Sequence, residues 1–391
     1  MNSVTKLDAL TTLRFFAAAM IVIGHVHPLF GSLGVAKNFA LAQGVSFFFV
    51  LSGFILAYNY KTLQDGKSVK RFLVARFARI WPLHIATLSI WIYLFYPNFI
   101  NDLISSTQAA FKLFLHIMLL QSWSFTEPWI VSFNGAAWSI STEAFFYVVF
   151  AFIFINPKNR FPIILTLSII SLITLIFIAT RYSLSTAPGT TGFTVFSVLY
   201  TNPIMRVFEF LFGVCCAKLF FKYKDYFGNV KSKTWLFIEI TSISIAIYSL
   251  YLAARPSLIA ETLGNGASYY FHTSGIWYSW GGLILTFALS NGPISKLLSL
   301  RPLVFLGEIS FALYLVHPSI YAQANYYGIY VKGIENIGVT DVMLFWLVCI
   351  LSASLLHIII EKPCRKLIMN WWDGKSPYKL SYKTLIDNKQ P

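Results

Sequence analysis

Residues 162–180 read Pro-Ile-Ile-Leu-Thr-Leu-Ser-Ile-Ile-Ser-Leu-Ile-Thr-Leu-Ile-Phe-Ile-Ala-Thr, without one charged side chain. A run of this length and polarity crosses a hydrocarbon core of about 30 Å as a helix, because lipid offers no partner for an open backbone. Nine further stretches are predominantly apolar, several with a few charged residues: 10–30, 43–60, 80–97, 138–156, 203–221, 234–254, 271–290, 303–325 and 340–360. The chain as a whole is 57% hydrophobic and 12% charged, which excludes a soluble globule. The expected fold class is therefore an all-α polytopic membrane protein with about ten transmembrane helices. The first span is expected to be retained, since it is longer than a signal-peptide core and no Ala-x-Ala-like cleavage site follows it.

A further apolar segment, 111–123, is shorter than the roughly 20 residues a crossing needs. Charge decides how it is counted. If it does not cross, both termini share one side, and twenty-four of the 30 Lys and Arg residues fall there. Only Lys37, Lys112, Arg181, Arg255 and Lys332 fall opposite, and Arg206 lies inside a span. The positive-inside rule then places both termini in the cytoplasm and makes 111–123 a short re-entrant or interfacial helix on the outer side. The same rule accounts for the basic excess, so nucleic acid is not an expected partner. One membrane domain, 1–370, is expected, followed by a polar cytoplasmic tail, 371–391.

Ionisable groups inside apolar spans mark candidate sites, since they are costly there. Arg14 opens the first span and His25 follows eleven residues later, about 16 Å along the helix and on nearly the same face. Glu143 follows Trp138-Ser-Ile-Ser-Thr in a descending span. Arg206 and Glu209 sit at i and i+3 in another, and His317 lies far up an ascending one. His25, Glu143, Arg206 and His317 are thus expected to gather in the outer half. Two imidazoles and a carboxylate supply what general-base activation of a hydroxyl requires, a proton acceptor and an orienting partner. The catalytic candidates are His25, Glu143 and Arg14. Arg206, His317, Trp138 and Ser139 are candidates for holding an acceptor or an oxyanion.

At the inner face Arg71, Arg76 and Arg79 join Arg14, with Arg76 and Arg79 on one side of a helix start. Arginine forks suit phosphate, so an anionic substrate is expected to dock there. His84, His116, His272 and His357 lack such neighbours and are read as structural. The four cysteines show no metal-ligand spacing, and neither a metal nor a disulfide is expected.

These same residues resemble the acyltransferase-3 family, membrane-bound O-acyltransferases of bacterial surface glycans and related acceptors. The likeness is carried by Leu7-Asp-Ala-Leu…Arg14-x₁₀-His25, Gly44-Val-Ser-Phe-Phe-Phe-Val-Leu-Ser-Gly-Phe54 and Arg76-Phe-Ala-Arg79-Ile-Trp-Pro82. Trp138-Ser-Ile-x-x-Glu143, Arg206-Val-Phe-Glu-Phe-Leu-Phe-Gly213, Leu306-Gly-x-Ile-Ser-Phe…His317 and Glu361-Lys-Pro363 follow in order. The resemblance implies a bacterial inner-membrane enzyme with no bound cofactor and acyl-CoA, most simply acetyl-CoA, as co-substrate. Its implied acceptor is a hydroxyl of an extracytoplasmic or lipid-linked glycan, such as O-antigen or exopolysaccharide. By position Arg14 and His25 correspond to the family's essential pair, and Arg76 and Arg79 to its Arg-x-x-Arg motif. Some members carry an extra-membrane hydrolase-like domain, whereas about thirty residues follow the last span here. That implies either complete transfer by this chain or delivery to a separate extracytoplasmic transferase partner. The alternative reading of the buried residues is a proton-coupled exporter or flippase of a glycan or lipid.

Overall fold

The computed structural model describes residues 7–30, 36–228, 230–255, 257–328 and 337–374. The expected tail, 371–391, lies outside them from residue 375 onward. Helix α1 (Asp8–Phe30) and helix α2 (Gly44–Asn59) form the first pair. Helix α3 (Gly66–Phe95) begins far earlier than the apolar run at 80 suggested. Asp65 accounts for this: its carboxylate accepts the Ser68 N–H at 2.7 Å and closes a capping box. Arg71, Arg76 and Arg79 consequently stand inside a long helix rather than at its start.

The outer stretch after α3 holds three short helices, α4 (Phe99–Ser105), α5 (Thr107–Ile117) and α6 (Glu127–Ile130). Helix α5 exposes Phe111 and Phe114 and buries His116, the pattern of an interfacial helix, and its 11 residues are too few to cross. Two histidines pin this segment to the bundle. His84 Nε2 lies 2.8 Å from the His116 carbonyl oxygen, and His116 Nε2 lies 3.1 Å from that of Trp129.

Helices α7 (Trp138–Ile155) and α8 (Pro157–Arg181) lead to α9 (Pro203–Phe227) and α10 (Ser232–Ala253). Next come α11 (Ser257–Thr273), kinked at Gly264 with φ +83°, then α12 (Trp277–Leu289) and the short α13 (Pro293–Leu298). Helix α14 (Arg301–Tyr327) precedes α15 (Val339–Leu356), which passes through a π-turn at His357–Glu361 into α16 (Lys362–Trp372).

Among the described residues eight helices are long and apolar enough to cross a membrane: α1, α2, α3, α7, α8, α10, α14 and the α15–α16 unit. Two of the ten expected spans fall outside this set for separate reasons. Helix α9 has the length but carries Arg206, Glu209 and several lysines. The span expected at 271–290 is divided by residues 274–276, leaving α12 only 13 residues long.

Contacts fix the helix directions. Helices α1 and α14 run parallel: Gly307 meets the Thr11 backbone and His25 reaches His317 higher up, while the Thr12 hydroxyl donates to the Leu298 carbonyl at the end of α13 at 2.6 Å. Helices α2 and α9 also run parallel and cross where each presents a glycine. A Cβ on Gly53 would strike the Phe210 carbonyl, and one on Gly213 the Val50 carbonyl. Such mutual notches let backbones approach closely, which is how helices bind each other where water supplies no drive. Helix α12 joins this parallel set, with Trp280 Nε1 donating to the Gln43 carbonyl at 3.0 Å. Between these helices Phe47, Phe54, Phe146, Phe150 and Phe210 fill the core.

Candidate functional site

Helix α1 carries its two polar groups to different places. Arg14 lines a cavity of about 340 Å³ enclosed by α1, α2, α3, α7 and α14. The lining runs along α2 from Val45 to Asn59, about 21 Å of helix at 1.5 Å per residue. Arg76 and Arg79 enter it from α3, and Glu143 and Tyr147 from α7. Ser139, Phe311 and Tyr314 also line it.

Its charges are mutually arranged. Glu143 Oε1 accepts from the Tyr147 hydroxyl at 2.6 Å and from Ser52 Oγ at 3.1 Å. Arg14 stands within electrostatic reach of Arg79, Glu361 and Glu143. Arg76 is buried against the Phe72 ring, and its Nε has no hydrogen-bond partner. A buried guanidinium donor left open beside a cavity fits an anionic ligand, because an unpaired buried donor is otherwise costly. Arg365 of α16 stands within electrostatic reach of both Arg76 and Arg79.

His25 lies beyond this cavity. Its Nδ1 is 2.8 Å from Nε2 of His317, and the rings stack with centroids 5.1 Å apart. His317 is fully buried, whereas His25 is exposed. The backbone selects the tautomers. His317 Nδ1 lies 3.3 Å from the Leu313 carbonyl oxygen, which can only accept, so the proton of neutral His317 sits on Nδ1. His317 Nε2 then accepts from His25 Nδ1–H, and His25 Nε2 is left with a free lone pair. An imidazole oriented by a buried partner and presenting one lone pair has the form of a general base.

The expected gathering of four groups in the outer half therefore resolves into three places. His25 and His317 meet; Glu143 joins the arginine-lined cavity through Ser52 and Tyr147 and does not orient the imidazole. Arg206 is enclosed rather than facing a substrate. It pairs with Glu209 at 3.1 Å, donates to Ser46 Oγ at 3.1 Å and lies over the rings of Phe49 and Tyr200. Trp138 is buried against Phe49 and Tyr200. Arg71 is exposed and grips Asp373 with two bonds of 3.2 Å, away from the cavity lining. Ser139 sits where the cavity nears the histidines, its Oγ 2.8 Å from the Tyr314 hydroxyl. Tyr314 escaped sequence reading, although its place one turn before His317 was the available signal.

The acyltransferase-domain family model matches residues 7–361, nearly the whole described chain. The chain belongs to the acyltransferase-3 family. It is a membrane acyltransferase. Acyltransferase MdmB of Streptomyces mycarofaciens is 28% identical over 389 residues, covering 93% of each chain. The peptidoglycan O-acetyltransferase OatA of Listeria monocytogenes is 25% identical over 305 residues, 72% of this chain and 45% of that protein. The O-acetyltransferase OatA of Staphylococcus aureus is 25% identical over 387 residues, 94% of this chain and 58% of that protein. This chain thus spans about half the length of the OatA relatives and nearly all of MdmB. No solved structure is a significant match.

Proposed function

We propose that this protein is a bacterial inner-membrane O-acyltransferase. It moves an acyl group, most simply acetyl, from cytoplasmic acyl-CoA to a hydroxyl of an extracytoplasmic or lipid-linked glycan, such as O-antigen or exopolysaccharide. The observation that carries this reading is the pairing of an arginine-lined cavity with an oriented histidine beyond its far end. Phosphates of the donor would bind Arg76 and Arg79, aided by Arg14, while the thioester extends along α2. His25 Nε2 would take the proton of the acceptor hydroxyl as that oxygen attacks the thioester carbon. His317 holds the His25 ring and shares the positive charge that develops. Ten crossings with both termini cytoplasmic suit the parallel directions of α2, α9 and α12 and put the arginines on the side where CoA is found. The naming of two relatives as O-acetyltransferases supports the acetyl group and the hydroxyl acceptor.

The test uses inverted membrane vesicles carrying the native glycan, supplied with radiolabelled acetyl-CoA. Wild-type protein transfers label to glycan, and His25→Ala at matched protein level loses 10²–10⁴-fold in rate, about 3–5 kcal/mol of barrier. Equal transfer by both removes His25 from the chemistry. Absence of transfer from acetyl-, succinyl- and longer acyl-CoA by intact wild type overturns the donor assignment.

A further inference from the structure

The arginine-lined cavity and the histidine pair come together at one side chain, Tyr314. Its ring lines the cavity and lies 5.9 Å, centroid to centroid, from the ring of His317. Its hydroxyl accepts from Ser139 Oγ at 2.8 Å and donates to the Ala136 carbonyl at 2.9 Å. Ser139 also lines the cavity and lies 3.2 Å from the same Ala136 oxygen. A phenol and a serine hydroxyl thus stand together at the end of the cavity nearest the general base. Neither is held by a charged partner: Ser139 gives its proton to the phenol oxygen, and Tyr314 gives its own to the Ala136 carbonyl.

We propose that Tyr314 is a catalytic residue that donates its O–H to the thioester carbonyl oxygen and stabilises the oxyanion formed during transfer, with Ser139 holding the phenol in place. The assignment rests on the acyl-CoA reading above and gives the oxyanion role to a residue other than Arg206, which is closed within its ion pair. In the attack, the acceptor hydroxyl loses its proton to His25 Nε2 and its oxygen bonds to the carbonyl carbon. On binding, the thioester oxygen takes the Tyr314 hydrogen bond in exchange for the one now made to Ala136, and as the carbonyl π electrons move to oxygen that bond strengthens. Collapse breaks the carbon–sulfur bond, and the leaving thiolate takes the proton from His25, giving the ester and CoA thiol. Donors aimed at a developing oxyanion act strongest in a water-poor site, and losing one typically costs 10²–10³-fold in kcat.

The experiment compares wild type, Tyr314→Phe and Ser139→Ala in lipid nanodiscs with acetyl-CoA labelled with carbon-13 at the carbonyl. Tyr314→Phe is expected to lose 10²–10³-fold in kcat with KM for acetyl-CoA within about threefold of wild type, since the bond strengthens only in the transition state. The isotope-edited infrared band of the bound thioester is expected at lower frequency in wild type and at its unbonded position in the Phe variant. Ser139→Ala retains the phenol and is expected to show a smaller kcat loss, with a broadened band. A Phe variant with wild-type kcat, or with an unshifted difference between the two infrared bands, reduces Tyr314 to a tie between α14 and the Ala136 turn and overturns the assignment. Should Tyr314→Phe not fold, an unchanged band and kcat in Ser139→Ala overturn it instead. Wild type that neither binds nor consumes acetyl-CoA overturns the donor reading, and this assignment with it; an active wild type separates the two.

Discussion

Two ionisable pairs, close in type, have opposite surroundings. His25 and His317 form a chain of neutral donors and acceptors that ends in a free lone pair at an exposed residue. Arg206 and Glu209 form a pair with both side chains at 1% exposure or less, which marks it as internal architecture. Removing one member of a buried pair strands the other charge, at a cost of about 3–5 kcal/mol, whereas replacing both with apolar groups is often neutral or stabilising. Glu209→Gln is therefore expected to lower the unfolding temperature markedly, and Arg206→Met with Glu209→Leu to restore most of the loss, as read by thermal unfolding in detergent. If the double variant is stable yet inactive per folded molecule, Arg206 acts on substrate and the structural assignment fails. Tyr314 belongs to this scale as well, since its importance comes from two hydrogen bonds and one ring contact rather than from charge.

Among helices, the crossing of α2 and α9 sets the position of much of the cavity wall, because α2 supplies its lining from Val45 to Asn59. The crossing depends on Gly53 and Gly213, each pressed against the other helix's backbone. A backbone oxygen cannot rotate away as a side chain can, so even one methyl must part the helices. Overpacking of this kind costs about 1–3 kcal/mol. Gly53→Ala and Gly213→Ala are each expected to lower thermal stability, and the double variant to lose less than the summed effect, because both act on one contact. Additive losses measured by unfolding would show two separate contacts in place of a shared notch. Long α3 works at this scale too: its early start at the Asp65 cap lifts Arg76 and Arg79 into the bundle, beside Glu143 and Tyr147.

For the molecule as a whole, the proposed path puts Arg14, Arg76 and Arg79 towards the cytoplasmic side with Lys61 and Gly374, and Ser183 and Ser257 on the other. In a cysteine-free background, Lys61→Cys and Gly374→Cys are expected to react with a membrane-impermeant maleimide only after the membrane is opened. Ser183→Cys and Ser257→Cys are expected to react in intact cells. Labelling of position 61 from outside would reverse the orientation and detach the arginine-lined cavity from the cytoplasmic donor. Labelling of position 257 only after opening would remove a crossing between α8 and α11 and break the ten-span path.

Much of this was legible in the chain alone. Apolar length dictated helices, because lipid leaves the backbone no other partner, and motif order pointed to the family later found over residues 7–361. Arg14, Arg76 and Arg79 were readable as one inner group because positive charge within helical spans is rare and spaced by turns. What linear spacing does not carry is which helix stands against which. Glu143 and His317 are equally plausible partners for His25 by depth, and only the parallel packing of α1 on α14 gives the imidazole to His317. Arg206 looked like a site residue because charge in a span is costly, yet its charge is paired internally with Glu209 and one of its donors goes to Ser46. Arg71 looked like part of the inner group until the fold brought Asp373 to it. Tyr314 gave only a weak sign, since an aromatic one turn from a histidine is common in such a chain and becomes chemistry only when α7 and its preceding turn bring Ser139 and Ala136 to its hydroxyl. Depth and polarity are properties of one helix, and a sequence states them; partnership is a property of two, and it is decided by how side chains and bare glycines let the helices pack.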